Sequence, residues 1–448
     1  MPFLCAECGH RSVKWFGRCP TCGAWDSLSE VRSDGDEPAE ASSWLGEELH
    51  TIDRVDVDEI ERLATGMAEF DRLLGGGLIP GGVILFGGEP GIGKSTLLLQ
   101  IAQLVAESRG NVLYVSGEES EGQVKLRASR IGVDNKRLYV LAEQSLARIV
   151  KAIEQVSPVV LIVDSIQTTV DERTAGEAGS LRQLREVSSE LIRRAKSRRM
   201  ATFLVGHITK GGAFAGPKSV EHLVDVAVYL EGSRGEDVRI LRSVKNRFGA
   251  THEVVVFRMS AEGLVEISNP SRFFLEDMEA EPQAGTVVVP ILEGTRPILI
   301  EMQALVSPTG GYGVPQRRCT GLDINRVLLM LAVMEKHLGV QTGGADVYLN
   351  LAGGLETRER GTDLGVVAAI CSSLRNRPLS ARTAMVGEVG LSGEIRSVRR
   401  TGERIREAEK MGMERIIVPG SARTPTGARI DVIGADRIDR AIEAIGLA

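Results

Sequence analysis

The sequence predicts a chain of the α/β class. A phosphate-loop nucleotide-binding core is preceded by a small four-cysteine module and followed by a second α/β domain. Three observations predict this. Gly88-Glu89-Pro90-Gly91-Ile92-Gly93-Lys94-Ser95-Thr96 completes the pattern G-x-x-x-x-G-K-[ST], between an apolar run (82–87) and a helix-forming run (96–102). From Leu63 onward, short apolar runs alternate with helical segments, which indicates a mostly parallel sheet. Four of the six cysteines fall in the first 22 residues as Cys5-x2-Cys8-x10-Cys19-x2-Cys22.

At the N-terminus (1–29), each C-x-x-C pair is followed by a glycine, Gly9 or Gly23. This suits a tight knuckle that turns backbone amides toward thiolates. Four thiolates with no open position point to a structural, tetrahedral Zn²⁺ on Cys5, Cys8, Cys19 and Cys22. A rubredoxin-like iron site and a redox pair are the alternatives. Trp15, Phe16 and Arg18 between the knuckles read two ways: as a stacking, cationic face for DNA, or as the mini-core of the module. Residues 30–60 are acidic and polar and read as a linker, with Trp44-Leu45 as a possible anchor.

The core is assigned to 61–272. In the phosphate loop, Gly88 to Thr96, glycines let backbone N–H groups close around phosphates. Lys94 reaches the β- and γ-phosphates, and Ser95 supplies a hydroxyl to Mg²⁺. A second strand, Asn111 to Ser116, ends at Gly117-Glu118-Glu119, and a third covers Leu138 to Leu141. A fourth, Val159 to Ser165, is apolar and ends in an acid; Asp164 there would hold Mg²⁺ through its water shell. A fifth, Ala201 to His207, follows a long basic helix spanning Leu181 to Met200. Glu118, Asp164 and His207 therefore fall at strand C-termini, where ligands of parallel sheets bind. Hydrolysis requires a carboxylate to orient water and cations to offset phosphoryl charge. Glu118 is assigned the first task, with Glu119 as its competitor. Lys94 and the pair Lys245 and Arg247, in Lys245-Asn246-Arg247-Phe248-Gly249, are the cations. At strand period these two point to the same side, although spacing alone describes an exposed hairpin equally well.

The run Leu63 to Gly66, then Asp71 to Leu78, then the phosphate loop, resembles the entry to a RecA-type ATPase core. Joined to the four-cysteine module and the KNRFG motif, it is similar to the bacterial RadA (Sms) family of DNA-repair ATPases. The resemblance covers essentially the whole chain. It implies a hexameric ring of RecA-like domains in which Lys245 and Arg247 reach the neighbour's ATP. It implies a motor on single-stranded and branched DNA that drives branch migration, with a RecA-type recombinase as partner. Glu118 matches the water-activating glutamate and Asp164 the Walker B acid. The glycine-rich segment after His207 carries Lys210, Phe214 and Lys218, a combination suited to phosphates and a stacked base. His207 would report nucleotide state to it.

Residues 273–448 resemble the Lon protease domain, whose Ser–Lys dyad uses lysine as base. Laid on that pattern, the serine position falls at or near Gly361 and the lysine position at or near Gly402, so both groups are missing. A non-proteolytic scaffold is expected. Residues 285–448 hold 19 Arg and 2 Lys against 18 acids, whereas the remainder holds 33 basic against 42 acidic residues, for a net charge of −6 overall. Any nucleic-acid surface must therefore be local. The sequence has neither a long apolar run nor a signal-peptide core, so no membrane partner and a cytoplasmic, nucleoid-associated protein are expected.

Overall fold

The structure is a computed structural model that describes residues 3–30, 61–207, 219–232, 237–276, 281–310, 314–380 and 382–447. It divides into two compact units, Met1–Glu266 and Ile267–Ala448.

The first unit opens with three short strands, β1 (Phe3–Cys5), β2 (Arg11–Ser12) and β3 (Leu28–Glu30), with β1 central. Then follow α1 (Ala68–Leu74), β4 (Val83–Gly88), α2 (Lys94–Ser108), β5 (Val112–Ser116), α3 (Glu121–Arg130), β6 (Leu138–Ala142), α4 (Leu146–Val156), β7 (Val160–Asp164), α5 (Leu181–Arg198), β8 (Ala201–His207), α6 (Ser219–Leu223), β9 (Val226–Glu231), β10 (Val238–Asn246), β11 (Val254–Ser260) and β12 (Gly263–Glu266). These strands form one nine-stranded sheet, ordered β12-β11-β10-β9-β4-β8-β7-β5-β6. Strands β9, β4, β8, β7, β5 and β6 run parallel, and β10 to β12 extend the sheet antiparallel.

Its central strands are apolar along their whole length because both faces are covered. On β4, Ile84 and Phe86 enter a core that includes Phe70, Leu97 and Ile101, while Val83 and Leu85 enter the opposite core, with Ile149, Leu184 and Leu191. Helix starts follow local chemistry. Ser120 and Gln123 form a reciprocal capping box at α3, and Ser180 caps α5. The basic face of α5 is largely paired: Arg193 and Arg194 meet Glu190, Arg194 and Arg198 meet Glu154, and Lys196 meets Asp225.

The second unit contains α7 (Pro270–Phe274), β13 (Thr286–Glu293), β14 (Arg296–Pro308), β15 (Arg317–Thr320), α8 (Ile324–Leu338), β16 (Ala345–Leu351), α9 (Asp363–Arg375), β17 (Thr383–Met385), β18 (Glu388–Val389), β19 (Ile395–Arg396), α10 (Thr401–Lys410), β20 (Arg415–Pro419), β21 (Asp431–Ala435) and α11 (Ile438–Ala444). Seven strands form a mixed sheet ordered β15-β16-β14-β13-β17-β20-β21. Residues 384–388 (Ala-Met-Val-Gly-Glu) read in sequence as one strand. The structure breaks it after Met385, because the Gly387 N–H turns to Gly361 O (2.9 Å) and Glu388 pairs with Arg396 in a separate hairpin. Both remaining cysteines sit in apolar stretches of sequence; Cys371 is buried, whereas Cys319 is only half-buried and donates to Leu322 O (3.1 Å).

An ion pair lies within two residues of both positions where a Ser–Lys dyad was sought. Glu359 meets the fully buried Arg404 and also accepts from Leu292 N (2.7 Å). Arg404 donates in addition to Pro290 O and to Arg399 O (3.0 Å). One charge pair thereby joins β13, the turn before α9 and the start of α10. Breaking such a pair strands a charge in the core. Glu359→Ala should therefore lower the stability of this unit by about 3 kcal/mol, read as the shift of its urea-unfolding midpoint; a shift under ~0.5 kcal/mol would show the pair to be dispensable.

Candidate active site and metal centre

Two strand pairings build the site. In the β4–β8 pairing Gly88 lies opposite His207, and in the β5–β7 pairing Ser116 lies opposite Asp164. The phosphate loop, Glu118, Asp164 and His207 therefore leave the sheet along one edge. They line a single cavity of about 330 Å³.

The loop residues take the conformations their types allow. Gly91 and Gly93 have left-handed φ of 79° and 117°. Gly93 is also hemmed in: a Cβ there would lie 3.1 Å from both Met259 and Leu264 side chains. Helix α2 starts at Lys94 with no side-chain cap, so its first amides remain available to an anion.

Lys94 is buried and donates to Gly88 O (2.9 Å), Glu89 O (2.9 Å) and His207 Nδ1 (3.1 Å). An ammonium only donates, so Nδ1 of His207 must accept. The neutral ring then carries its proton on Nε2, which faces Glu118 Oε1 at 3.1 Å. Glu118 Oε1 also accepts from Ser165 Oγ (2.7 Å). Partial burial pushes the Glu118 carboxyl up, but the Ser165 hydrogen bond, His207 and Lys94 outweigh it and hold it below its ordinary value. Burial lowers the Lys94 ammonium, opposed by Asp164 and Glu118. Glu119 also faces the cavity, yet it pairs with Arg127, and its amide is held by Ser116 Oγ (3.0 Å). The two adjacent glutamates are thereby separated: one joins the lysine–histidine chain and the other is tied to α3.

A second chain runs beside the first. Asp164 Oδ2 accepts from Ser95 Oγ (2.6 Å) and from Tyr114 OH (2.6 Å). The serine hydroxyl and the carboxylate are hard oxygen donors of the kind Mg²⁺ takes. Tyr114 and Arg127 were not singled out in the sequence. Tyr114 looks like one more apolar strand residue, and Arg127 like one more cation on an amphipathic helix.

Lys245 and Arg247 both turn toward residues 221–225. Lys245 donates to Glu221 O (2.9 Å) and His222 O (3.0 Å), and Arg247 pairs with Asp225 (3.2 Å). They share a side as the strand period suggested, but by a different route. The β9–β10 register shifts between Ser243 and Lys245, and Arg247 lies past the end of β10. Lys210, Phe214 and Lys218 lie outside the described residues, as does the linker beyond residue 30.

In the N-terminal module, the Sγ atoms of Cys5, Cys8, Cys19 and Cys22 all lie within 4.8 Å of one another. The Cys5–Cys22 and Cys8–Cys19 separations are 3.7 and 3.5 Å. A tetrahedral Zn²⁺ with bonds of about 2.3 Å needs sulfurs about 3.8 Å apart, so the four thiolates fit the ion. Gly9 and Gly23 adopt φ of 71° and 75°, as the knuckles require. The mini-core consists of Cys5, Cys8, Cys19 and Leu28 with Phe3 against them, whereas Trp15 and Phe16 are exposed. The aromatic residues therefore do not form the module's core.

Comparison with known proteins agrees with this architecture. Residues 49–213 match the AAA domain model, residues 3–30 the rubredoxin metal binding domain, and residues 330–422 the subunit ChlI of Mg-chelatase. A DNA repair protein RadA of Halalkalibacterium halodurans is 44% identical over 98% of this chain and 97% of its own length. One from Streptococcus pyogenes is 46% identical over 99% and 98%.

The chain belongs to the RadA family of DNA repair proteins.

Its core is a P-loop, RecA-like ATPase fold, its N-terminal module a four-cysteine zinc ribbon, and its C-terminal unit a ChlI/Lon-like domain. No helix of the described residues is long and apolar enough to cross a membrane.

Cys8→Ser should leave three thiolates and lose the stoichiometric zinc of the purified protein, measured by elemental analysis. Full retention of zinc would refute the four-thiolate site.

Proposed function

We propose that the protein is a DNA-stimulated ATPase that moves on single-stranded and branched DNA and promotes branch migration in recombinational repair, beside a RecA-type recombinase. The observation that carries this reading is the unbroken chain Lys94–His207–Glu118 at the mouth of the phosphate loop, with Ser95 and Asp164 joined next to it. Membership of a DNA-repair family supplies the kind of substrate.

In this reading Gly88 to Thr96 cradle the triphosphate, and Lys94 gives up carbonyl partners to reach the β- and γ-phosphates. Ser95 and Asp164 hold Mg²⁺, which when bound neutralises phosphate charge. Glu118 is ionised and orients the attacking water. Lys94 links this carboxylate to the phosphate loop through His207, so occupation of the loop is felt at the ring. Since His207 ends β8, it passes that state to the segment carrying Lys210, Phe214 and Lys218, which contacts single-stranded DNA. Lys245 and Arg247 serve a neighbouring protomer's ATP in a hexameric ring. An ammonium has three N–H groups; two of those of Lys245 meet the carbonyls of Glu221 and His222, and the third can turn to a phosphate oxygen. The division into 1–29, 30–60, 61–272 and 273–448 assigns a zinc ribbon, a linker, the motor and a scaffold without protease chemistry. Such a protein works in the cytoplasm, at the nucleoid.

ATP hydrolysis measured with and without single-stranded DNA tests this reading. Wild type should be stimulated several-fold, Lys94→Ala should be inactive, and Lys245→Ala should bind nucleotide yet lose the stimulation. DNA-insensitive hydrolysis by wild type would reject the motor, and normal turnover by Lys245→Ala would reject its role across the interface.

The pH dependence has a defined sign. A carboxyl held below its ordinary value stays charged above that value and loses its charge as pH falls through the lowered one. Glu118 should therefore impose no acid fall in turnover above about pH 4.5. A wild-type limb near pH 6 that persists in Glu118→Asp would place the titration elsewhere.

A further inference from the structure

Tyr114 is 1% exposed, within a core otherwise built from Val, Leu, Ile, Ala, Met and Phe side chains. A phenol hydroxyl in such surroundings is costly unless it is hydrogen-bonded, and phenylalanine would fill the same space. Its hydroxyl donates to the Oδ2 atom of Asp164 at 2.6 Å. The sheet makes this reach possible. Tyr114 on β5 lies opposite Ile162 on β7, and Asp164 is two residues further along the same face. That is the diagonal distance a long aromatic side chain can span.

Ser95 Oγ approaches the same oxygen, also at 2.6 Å. The terminal torsion of an aspartate is broad and has only a weak preference of its own. Two donors on Oδ2 fix it, and Oδ1 accepts no hydrogen bond among the described residues. Only one of them is buried in the sheet. Ser95 heads α2, lines the cavity and is the residue read as a ligand of the cation itself, whereas Tyr114 is not among the cavity's lining residues.

We propose that Tyr114 is a positioning residue for the divalent-cation site: its phenol locks the Asp164 carboxylate so that Oδ1 faces the hydrated cation. The proposal rests on the reading of Ser95 and Asp164 as the Mg²⁺ holders. The phenol donates and the carboxylate accepts.

Tyr114→Phe removes the hydroxyl and keeps the ring. The test is binding of a fluorescent ATP analogue to the full-length protein, first in EDTA and then across a Mg²⁺ titration. Affinity in EDTA should remain within about twofold of wild type, because the phosphate loop is untouched. The Mg²⁺ concentration at half effect should rise about tenfold, equivalent to the ~1.4 kcal/mol of a hydrogen bond to a charged group. Tyr114→Leu, smaller and also without a donor, should give the same split, and circular dichroism of both variants separates loss of the hydroxyl from loss of the fold. A structural role alone would weaken both titrations together and would overturn the proposal. An unchanged Mg²⁺ curve in a folded variant would overturn it as well, with the Ser95–Asp164 reading left standing. Absence of any Mg²⁺ effect in wild type would remove that reading and the proposal together.

Discussion

The parallel register of four strands is the constraint on which the site depends. Gly88 opposite His207 and Ser116 opposite Asp164 are consequences of backbone pairing. A slip of one residue would send every side chain of the displaced strand to the other face. Lys94, Glu118, Asp164 and His207 come from segments up to 113 residues apart, as the Lys94–His207 contact records. No local interaction could hold them to hydrogen-bond distances. The two buried cores on either face of β4 set that register, so the chemistry at the strand ends is positioned by hydrocarbon packing below it.

Much of this was legible before the structure because the informative residues obey short-range rules. The phosphate loop, the strand-ending acids and the paired C-x-x-C knuckles each combine a chemical group with a conformation that few other residues tolerate. The tautomer of His207 was not legible, since it follows from a lysine 113 residues away that can only donate. Tyr114 was hidden because a buried tyrosine and a buried phenylalanine leave the same trace in an apolar run. The separate assignments of Glu118 and Glu119 depended on Arg127, nine residues beyond Glu118 and on a helix of its own. Trp15 and Phe16 could be read either way because a module of under thirty residues has too little hydrocarbon to show which aromatics it buries. Here the cysteines themselves with Leu28 form the core.

In the C-terminal unit a charge pair stands close to both positions where a Ser–Lys dyad was expected to fall. The positions expected for a Lon-type serine and lysine fall at or near Gly361 and Gly402, and a nearby charge is Arg404 paired with Glu359. Arg404 donates to backbone carbonyls as well as to the carboxylate, so its guanidinium acts as a brace. An arginine keeps its proton under all relevant conditions and is no substitute for a lysine base. The pair ties β13, the turn before α9 and the start of α10 together.

The KNRFG hairpin is attached to the strand that bears the phosphate loop at both of that strand's ends. At the start of β4, Asp225 accepts from Val83 N (3.1 Å), from Lys196 (2.6 Å) and from Arg247 (3.2 Å). Near its end, Tyr229 packs so closely on Gly87 that a Cβ there would come within 2.5 Å of the ring. The Tyr229 hydroxyl donates to Glu221, whose carbonyl takes Lys245. Gly87 is the residue immediately before the phosphate loop and has no side chain with which to absorb a displacement of the ring. In the proposed ring, the cations presented to a neighbour's phosphate would be held by the same strand that presents this chain's own phosphate loop. Any movement of that strand is shared by both ends of the relay, because hydrogen bonds to a buried carboxylate and a ring against a glycine leave little slack between them.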